Sequence, residues 1–326
     1  MKKIISLLLV VSMMFLVACG KQENQVEPVA EKTNVRFGLL NGPTGIGASY
    51  LLEKNENDDA LNNYEVNIVA DPSDMAAQVI AGQLDIAALP TNLAATIYNK
   101  NQGIKLLALN TAGVLYIASS DETISSFEDL KGRTIYATGQ GANPEYVLNY
   151  ILSENGLVVG EDVTVEFFDS QELVRKAVSG EADVIMLPVP ALTTVLMKNE
   201  NMKVVFDLSE KWDELNTGSM LTMGCVVVNN EFYQNNTQAV DNFLKEYEES
   251  INYVKANPEQ AGELCEKFEI VPNKAVASKA IPDSHLIFYT GSDVRNMIEG
   301  YYQVLFEANP KAIGGAMPSE EFYITE

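Results

Sequence analysis

Four short loops hold most of the residues in this chain whose types and spacing suit chemistry on a small molecule. Asn41-Gly-Pro-Thr-Gly45 and Gly139-Gln-Gly-Ala-Asn143 each combine glycines with amide or hydroxyl side chains. Pro90-Thr-Asn92 and Pro188-Val-Pro190 follow apolar runs in the same way. Glycine lets backbone come close to a ligand, and a helix starting after such a loop offers unpaired N–H groups at its positive end. The chemistry is that of holding: a phosphate, sulfonate, carboxylate or polar ring atom met by amides and neutral side chains. The candidate ligand-binding residues are Asn41, Pro43, Thr44, Gly45, Thr91, Asn92, Gly139, Gln140, Gly141, Asn143 and Pro188, with Thr44 and Asn92 equally suited to plain helix capping. Trp212 joins them, since an aromatic ring in the polar segment Ser-Glu-Lys-Trp-Asp-Glu can cover a planar ligand. A ring packed on its own helix is the alternative.

Other chemistries are poorly served. No Gly-Lys-Ser/Thr follows the glycines and no Gly-x-Gly-x-x-Gly occurs, which argues against ATP or a dinucleotide at these loops. The four arginines, Arg36, Arg133, Arg175 and Arg295, all lie outside them, so no bidentate carboxylate clamp is visible and an amino-acid ligand is less attractive. A single histidine, His285, and the two cysteines beyond Cys19, Cys225 and Cys265, show no zinc spacing. No metal and no cofactor is expected. Cys225 sits in the apolar run Met-Gly-Cys-Val-Val-Val and reads as a buried, inert thiol. Asp71 and Asp169 hold matching places before helical patterns, which favours capping over an acid/base pair.

The elements that carry these loops are themselves repeated. Ala81-Gly-Gln-Leu-Asp-Ile-Ala-Ala-Leu-Pro90 returns 98 residues later as Ser179-Gly-Glu-Ala-Asp-Val-Ile-Met-Leu-Pro188, and the match runs upstream without a gap to Asp71 and Asp169. Such self-similarity marks a duplicated supersecondary unit. Strand-like runs at 35–40, 64–69 and 85–89 alternate with helical patterns at 46–53 and 73–81. The second copy repeats this with strands at 134–138, 163–168 and 183–187 and helices at 144–153 and 171–178. Alternation of this kind predicts parallel strands joined by crossover helices. The expected fold is α/β: two similar lobes, each a mainly parallel sheet flanked by helices, joined by a two-crossing hinge near Tyr116 and Val226. In such sheets ligands sit beyond the C-terminal strand ends, where the four loops fall.

The chain opens Met1-Lys2-Lys3, continues through an apolar stretch over 4–17 and reaches Ala18-Cys19-Gly20. That stretch is shorter than the about 20 residues a spanning helix needs, and its zones are those of an export signal. Leu16-Val-Ala-Cys19 resembles the bacterial lipobox, in which cleavage precedes Cys and the thiol is acylated. The expected organisation is a signal peptide over 1–18, a flexible tether over 19–33, one lobe from 34–117 plus 225–326, and a second from 118–224. The formal net charge is −23, and removing 1–18 takes away Lys2 and Lys3 without removing an acid. Nucleic acid is a poor partner for so acidic a surface.

Taken together, the chain resembles type 2 solute-binding lipoproteins of ABC importers, in the nitrate/sulfonate/taurine group that shares its fold with thiamine-precursor binding proteins. The resemblance rests on Asn41-Gly-Pro-Thr-Gly-Ile-Gly47, Gly82-Gln-Leu-Asp-Ile-Ala-Ala-Leu-Pro-Thr-Asn-Leu-Ala94, Phe127-Glu-Asp-Leu-Lys-Gly-Arg-Thr-Ile135 and Gly180-Glu-Ala-Asp-Val-Ile-Met-Leu-Pro188. It implies a monomer on the outer face of a bacterial cell membrane, held there by lipid, that closes its lobes on a small ligand and docks on permease and ATPase subunits. It implies no chemistry on the solute, while the solute class, a sulfonate-like anion or planar heterocycle, rests on the loops and not on the resemblance. The same fold also hosts enzymes acting on pyrimidine- or thiamine-type compounds, and ligand-binding sensors, which stand as the alternatives.

Overall fold

The computed structural model describes residues 31–324; the expected signal peptide, Cys19 and most of the expected tether lie outside the described residues. The first copy of the repeat folds as β1 (Asn34–Leu40), the single turn α1 (Pro43–Ile46), α2 (Ser49–Glu56), β2 (Asn63–Val69), α3 (Pro72–Ile80), β3 (Ile86–Pro90) and α4 (Thr91–Asn101). Then come β4 (Ile104–Ala112) and β5 (Leu115–Ser119). The second copy is β6 (Thr134–Ala137), α5 (Asn143–Glu154), β7 (Thr164–Phe167), α6 (Ser170–Ser179), β8 (Val184–Pro188) and α7 (Ala191–Lys198). It is followed by β9 (Lys203–Asp207), α8 (Leu208–Glu214), β10 (Thr222–Asn229), α9 (Asn230–Asn235), α10 (Thr237–Ala256), α11 (Pro258–Lys267), α12 (Lys274–Ala280), β11 (Leu286–Thr290) and α13 (Asp293–Ala308).

Two sheets result, a six-stranded one in the order β11-β4-β10-β3-β1-β2 and a five-stranded one in the order β7-β6-β8-β5-β9. Within each repeat the pairing is parallel, with β1 running beside β2 and β3, and β6 beside β7 and β8. The sheets as wholes are mixed, because β10 lies antiparallel to β3 and β4, and β5 antiparallel to β8 and β9. The reason is connectivity: β5 and β10 each enter their sheet from the other one, β5 after Gly113 and Val114 and β10 after α8, so neither is joined to its neighbours by a crossover within one sheet. The chain leaves the six-stranded sheet between Ala112 and Leu115 and returns between Asp207 and Thr222.

The repeated residues are scaffold. Asp71 caps α3 by accepting from Ser73 N–H at 2.7 Å, and Asp169 caps α6 by accepting from Gln171 N–H at 2.9 Å and Glu172 N–H at 3.3 Å. Each carboxylate satisfies donors that a helix start leaves open. Asp85 pairs with Arg36 at 2.5 Å and accepts from the Arg36 backbone N–H at 2.8 Å. Its counterpart Asp183 instead takes Ser120 N–H on its carbonyl at 2.9 Å.

One face of the six-stranded sheet packs on α2, α10 and α11 through Phe37, Tyr64, Phe243 and Tyr247, with Phe37 and Phe243 edge-on at 5.1 Å. Burial of such rings is the main stabilising term here. Cys225 is wholly buried on β10, where desolvation pushes its thiol well above the ordinary range, and burial lifts Cys265 to about 11. Neither is a nucleophile at neutral pH.

Candidate functional site

A cavity of about 410 Å³ lies between the two sheets. From the six-stranded side it is walled by Asn41, Pro43, Thr44, Pro72, Pro90, Asn92, Leu93, Thr111 and Met223. From the five-stranded side come Leu115, Thr138, Gly139, Asn143, Pro144, Ser170 and Pro188. Pro72, Asn143 and Ser170, the first residues of α3, α5 and α6, stand on this wall, as does Asn92, the second residue of α4. Their convergence follows from the repeat, since each helix starts just beyond the C-terminal end of a parallel strand.

The four helix starts are not equivalent. Asp71 and Asp169 already occupy the N–H groups of α3 and α6, whereas α4 and α5 have no side-chain cap. The first-turn N–H groups of α4, and at α5 the Asn143 N–H, suit a carbonyl, sulfonate or other acceptor, while the Glu145 and Tyr146 N–H groups already donate to Ala142 O. Asn143, 4 % exposed at the start of α5, leaves its Oδ1 without a hydrogen-bond partner. No Asp, Glu, Lys, Arg or His belongs to the wall, and most of its side chains are apolar or proline. Hydroxyls are present at Thr44, Thr111, Thr138 and Ser170, yet no titratable group on the wall could activate one for attack. The arrangement can hold and desolvate a small molecule. Among the described residues no group of three or more His, Cys, Asp or Glu is placed to hold a metal ion.

Of the residues expected from the loops, the structure brings Asn41, Pro43, Thr44, Asn92, Gly139, Asn143 and Pro188 to this cavity. The other five stand elsewhere. Thr91 is wholly buried and donates to Thr222 O at 2.6 Å, tying α4 to β10. Gln140 and Gly141 lie on the exposed outer part of their loop. Trp212 is fully buried, its indole N–H donating to Ser219 O at 2.9 Å and its ring 5.2 Å from Tyr150 and 5.7 Å from Tyr301. The expected ligand cover is therefore a core residue: only the outer face of α8 is polar, and Leu208 and Trp212, one turn apart, form the buried face.

Gly45 is likewise structural. A Cβ there would come within 2.4 Å of Leu40 O, whereas at Gly141 a Cβ meets nothing within 4 Å and only φ +72 is at issue. Gly45→Ala is expected to destabilise by about 2 kcal/mol, because backbone must move. Gly141→Ala should cost about 1 kcal/mol, the strain of a left-handed alanine. Urea unfolding of both variants checks the order, and a larger loss at Gly141 would contradict it.

Wall residues not singled out from the sequence include Pro72 and Ser170. These two occupy the same place in the two copies, one residue after the capping aspartates, so the 98-residue offset carried the signal. His285 lies outside the cavity, at the crossings. Its Nδ1–H donates to Gly113 O at 2.6 Å, and its Nε2 stands 3.3 Å from Tyr116 Oη and 3.5 Å from Asp207. Burial, and then the charge of Asp207, raise the Tyr116 hydroxyl far above its usual range.

A sequence profile described as NMT1/THI5 like matches residues 62–261, more than half of the chain. The chain belongs to the NMT1/THI5-like family. Among curated relatives of this NMT1/THI5-like chain, a putative binding protein of Brucella abortus (strain 2308) is 25% identical over 164 residues, which is 50% of this chain and 49% of that protein. The chain thus spans about half the length of the curated relatives it matches. Solved structures extend the likeness to the whole fold. An ABC transporter protein from Parabacteroides distasonis superposes with TM-score 0.77 at 23% identity, covering 90% of this chain and 99% of that one. The periplasmic aliphatic sulphonate binding protein SsuA from Escherichia coli gives 0.69 at 16%, covering 87% and 91%. The periplasmic nitrate-binding protein NrtA from Synechocystis PCC 6803 gives 0.55 at 15%, covering 81% and 75%. The NMT1/THI5-like chain therefore has the type 2 periplasmic-binding-protein fold, and solved neighbours of that fold are binding proteins.

Proposed function

We propose that this protein is the lipid-anchored, extracytoplasmic solute-binding component of an ABC importer, and that it captures a small organic solute in the cavity between its sheets. Each sheet with its helices serves as one jaw, following the division 34–117 plus 225–326 against 118–224, and the two crossings serve as the hinge. The observation that carries the reading is the uncharged cavity whose wall is shared by helix starts from both sheets. A solute held there touches both jaws, and only such a solute can shift an open–closed balance. The N–H groups at the start of α4 and that of Asn143 favour a sulfonate or carbonyl oxygen, and the apolar wall favours a flat ring. Solute transfer without chemical change follows from a wall that lacks an acid, a base or an activated nucleophile.

Two experiments test the reading. Cells lacking the protein should fail to accumulate the solute released from the purified chain. Uptake should return with the wild-type gene and not with Leu93→Trp/Thr138→Trp, which places an indole on each wall of the cavity; uptake unaffected by the deletion would remove the importer role. Separately, Cys19→Ala should move the protein from the membrane fraction to the soluble fraction. A Cys19→Ala protein still extracted with lipid would contradict the anchor.

A further inference from the structure

The cavity does not end at its inner wall. A second chamber of about 690 Å³ shares Pro43, Ser170 and Pro188 with it and opens outward between α6 and α7 on one side and the segment entering α12 on the other. Its lining is apolar at Val174, Met197, Val271 and Val276, and carries two cations, Arg175 on α6 and Lys198 on α7. Both are exposed, and among the described residues neither makes an ion pair. The lining holds no Asp or Glu, in a chain with 45 acidic and 22 basic residues.

We infer that this outer chamber is a second subsite, which receives the acidic end of an elongated solute whose uncharged head fills the inner cavity. The inference rests on the proposed solute-binding role and narrows its ligand class to an amphipathic molecule ending in a carboxylate or phosphate. The physical reason is the division of charge between the chambers. An ionised group in the inner cavity would meet only neutral N–H donors, with no opposite charge on the wall. At the outer chamber the same group keeps part of its water and gains charge-assisted hydrogen bonds from a guanidinium and an ammonium. Because the walls of the outer chamber also come from elements on both sides of the cleft, a solute spanning both chambers contacts both jaws twice.

Partial exposure limits the gain. An acid-ended solute is expected to bind about tenfold more tightly than its uncharged counterpart at low salt, with the advantage shrinking as salt rises. The test uses matched probes on the full-length protein in detergent: pyridoxine against pyridoxine 5′-phosphate, riboflavin against flavin mononucleotide, and hexanol against hexanoate. The solute released on denaturing the purified protein is characterised beside them by mass and electrophoretic charge. Isothermal titration should show the acidic member favoured in at least one pair, and the ratio within that pair should collapse toward one in Arg175→Gln/Lys198→Gln. A released solute without an acidic group, equal affinities within each pair that binds, or an advantage that survives the double substitution would each overturn the second subsite while leaving the solute-binding role intact. If no probe binds and no solute is released, the solute-binding role falls, and the subsite with it.

Discussion

Glu246→Ala is expected to lower the stability of the protein by about 3 kcal/mol, the largest effect of any single substitution considered. Glu246 lies on α10 and is 1 % exposed. Its Oε1 accepts from Leu61 N–H at 2.7 Å, its Oε2 accepts from Tyr64 Oη at 2.8 Å, and Lys54 Nζ stands 3.5 Å away. Truncation leaves a backbone donor and a phenol buried without an acceptor, beside an ammonium that has lost one of its two carboxylates. Burial, reinforced by Glu246, holds the Tyr64 hydroxyl far above its ordinary range. Glu246→Gln, which keeps an acceptor, should lose about half as much. Urea unfolding measures both, and a loss below about 1 kcal/mol for Glu246→Ala would contradict this account of the α10 contact.

The second large effect is on binding rather than folding. Leu93→Trp/Thr138→Trp should weaken solute binding by at least about 100-fold, or ~2.7 kcal/mol, while leaving the urea midpoint close to wild type. Leu93 follows the start of α4 on one side of the cavity, and Thr138 follows β6 on the other; both side chains are half-buried. An indole added at each occupies space the solute needs without entering the densely packed core. Retained affinity in this variant would place the solute elsewhere, and a collapse of stability would show that the two walls are packed together more tightly than the cavity suggests.

How far the fold could be read beforehand differs by element. The repeat made β1, β2, β3 and their counterparts visible, because a period of two and a period near 3.6 alternate cleanly and the second copy checks the first. Strands β10 and β5, each antiparallel to both of its neighbours, are visible as apolar runs but not as to their direction, which connectivity decides. β9 and β11 lacked a signal of their own: Lys203–Asp207 and Leu286–Thr290 are five residues each and lie at sheet edges, where exposed positions break the apolar pattern. With β11 missed, the place of His285 between the crossings could not be read either.

The site shows the same division. Loops that fall at matching strand ends led to seven wall residues, because strand-to-helix turns of a parallel unit must face one edge. The failures came where side-chain direction mattered. Trp212 reads as surface when its polar neighbours are counted and as core when its helix is drawn, since Leu208 and Trp212 share the inner face. Thr91 and Gly45 sit in the right loops but are consumed by the scaffold, one by a hydrogen bond to β10 and the other by the close approach of Leu40 O. Thr111, Leu115 and Met223 belong to strands that the repeat does not contain, so no comparison of the two copies could have found them.

The central claim is that the cavity between the sheets holds a small solute. Native mass spectrometry of the wild-type chain and the Leu93→Trp/Thr138→Trp variant, each purified without unfolding, tests it most directly. The wild-type protein should carry a bound small molecule that is lost on denaturation, and the variant should fly at the mass of the bare chain. Equal occupancy of the same molecule in both proteins would contradict the claim.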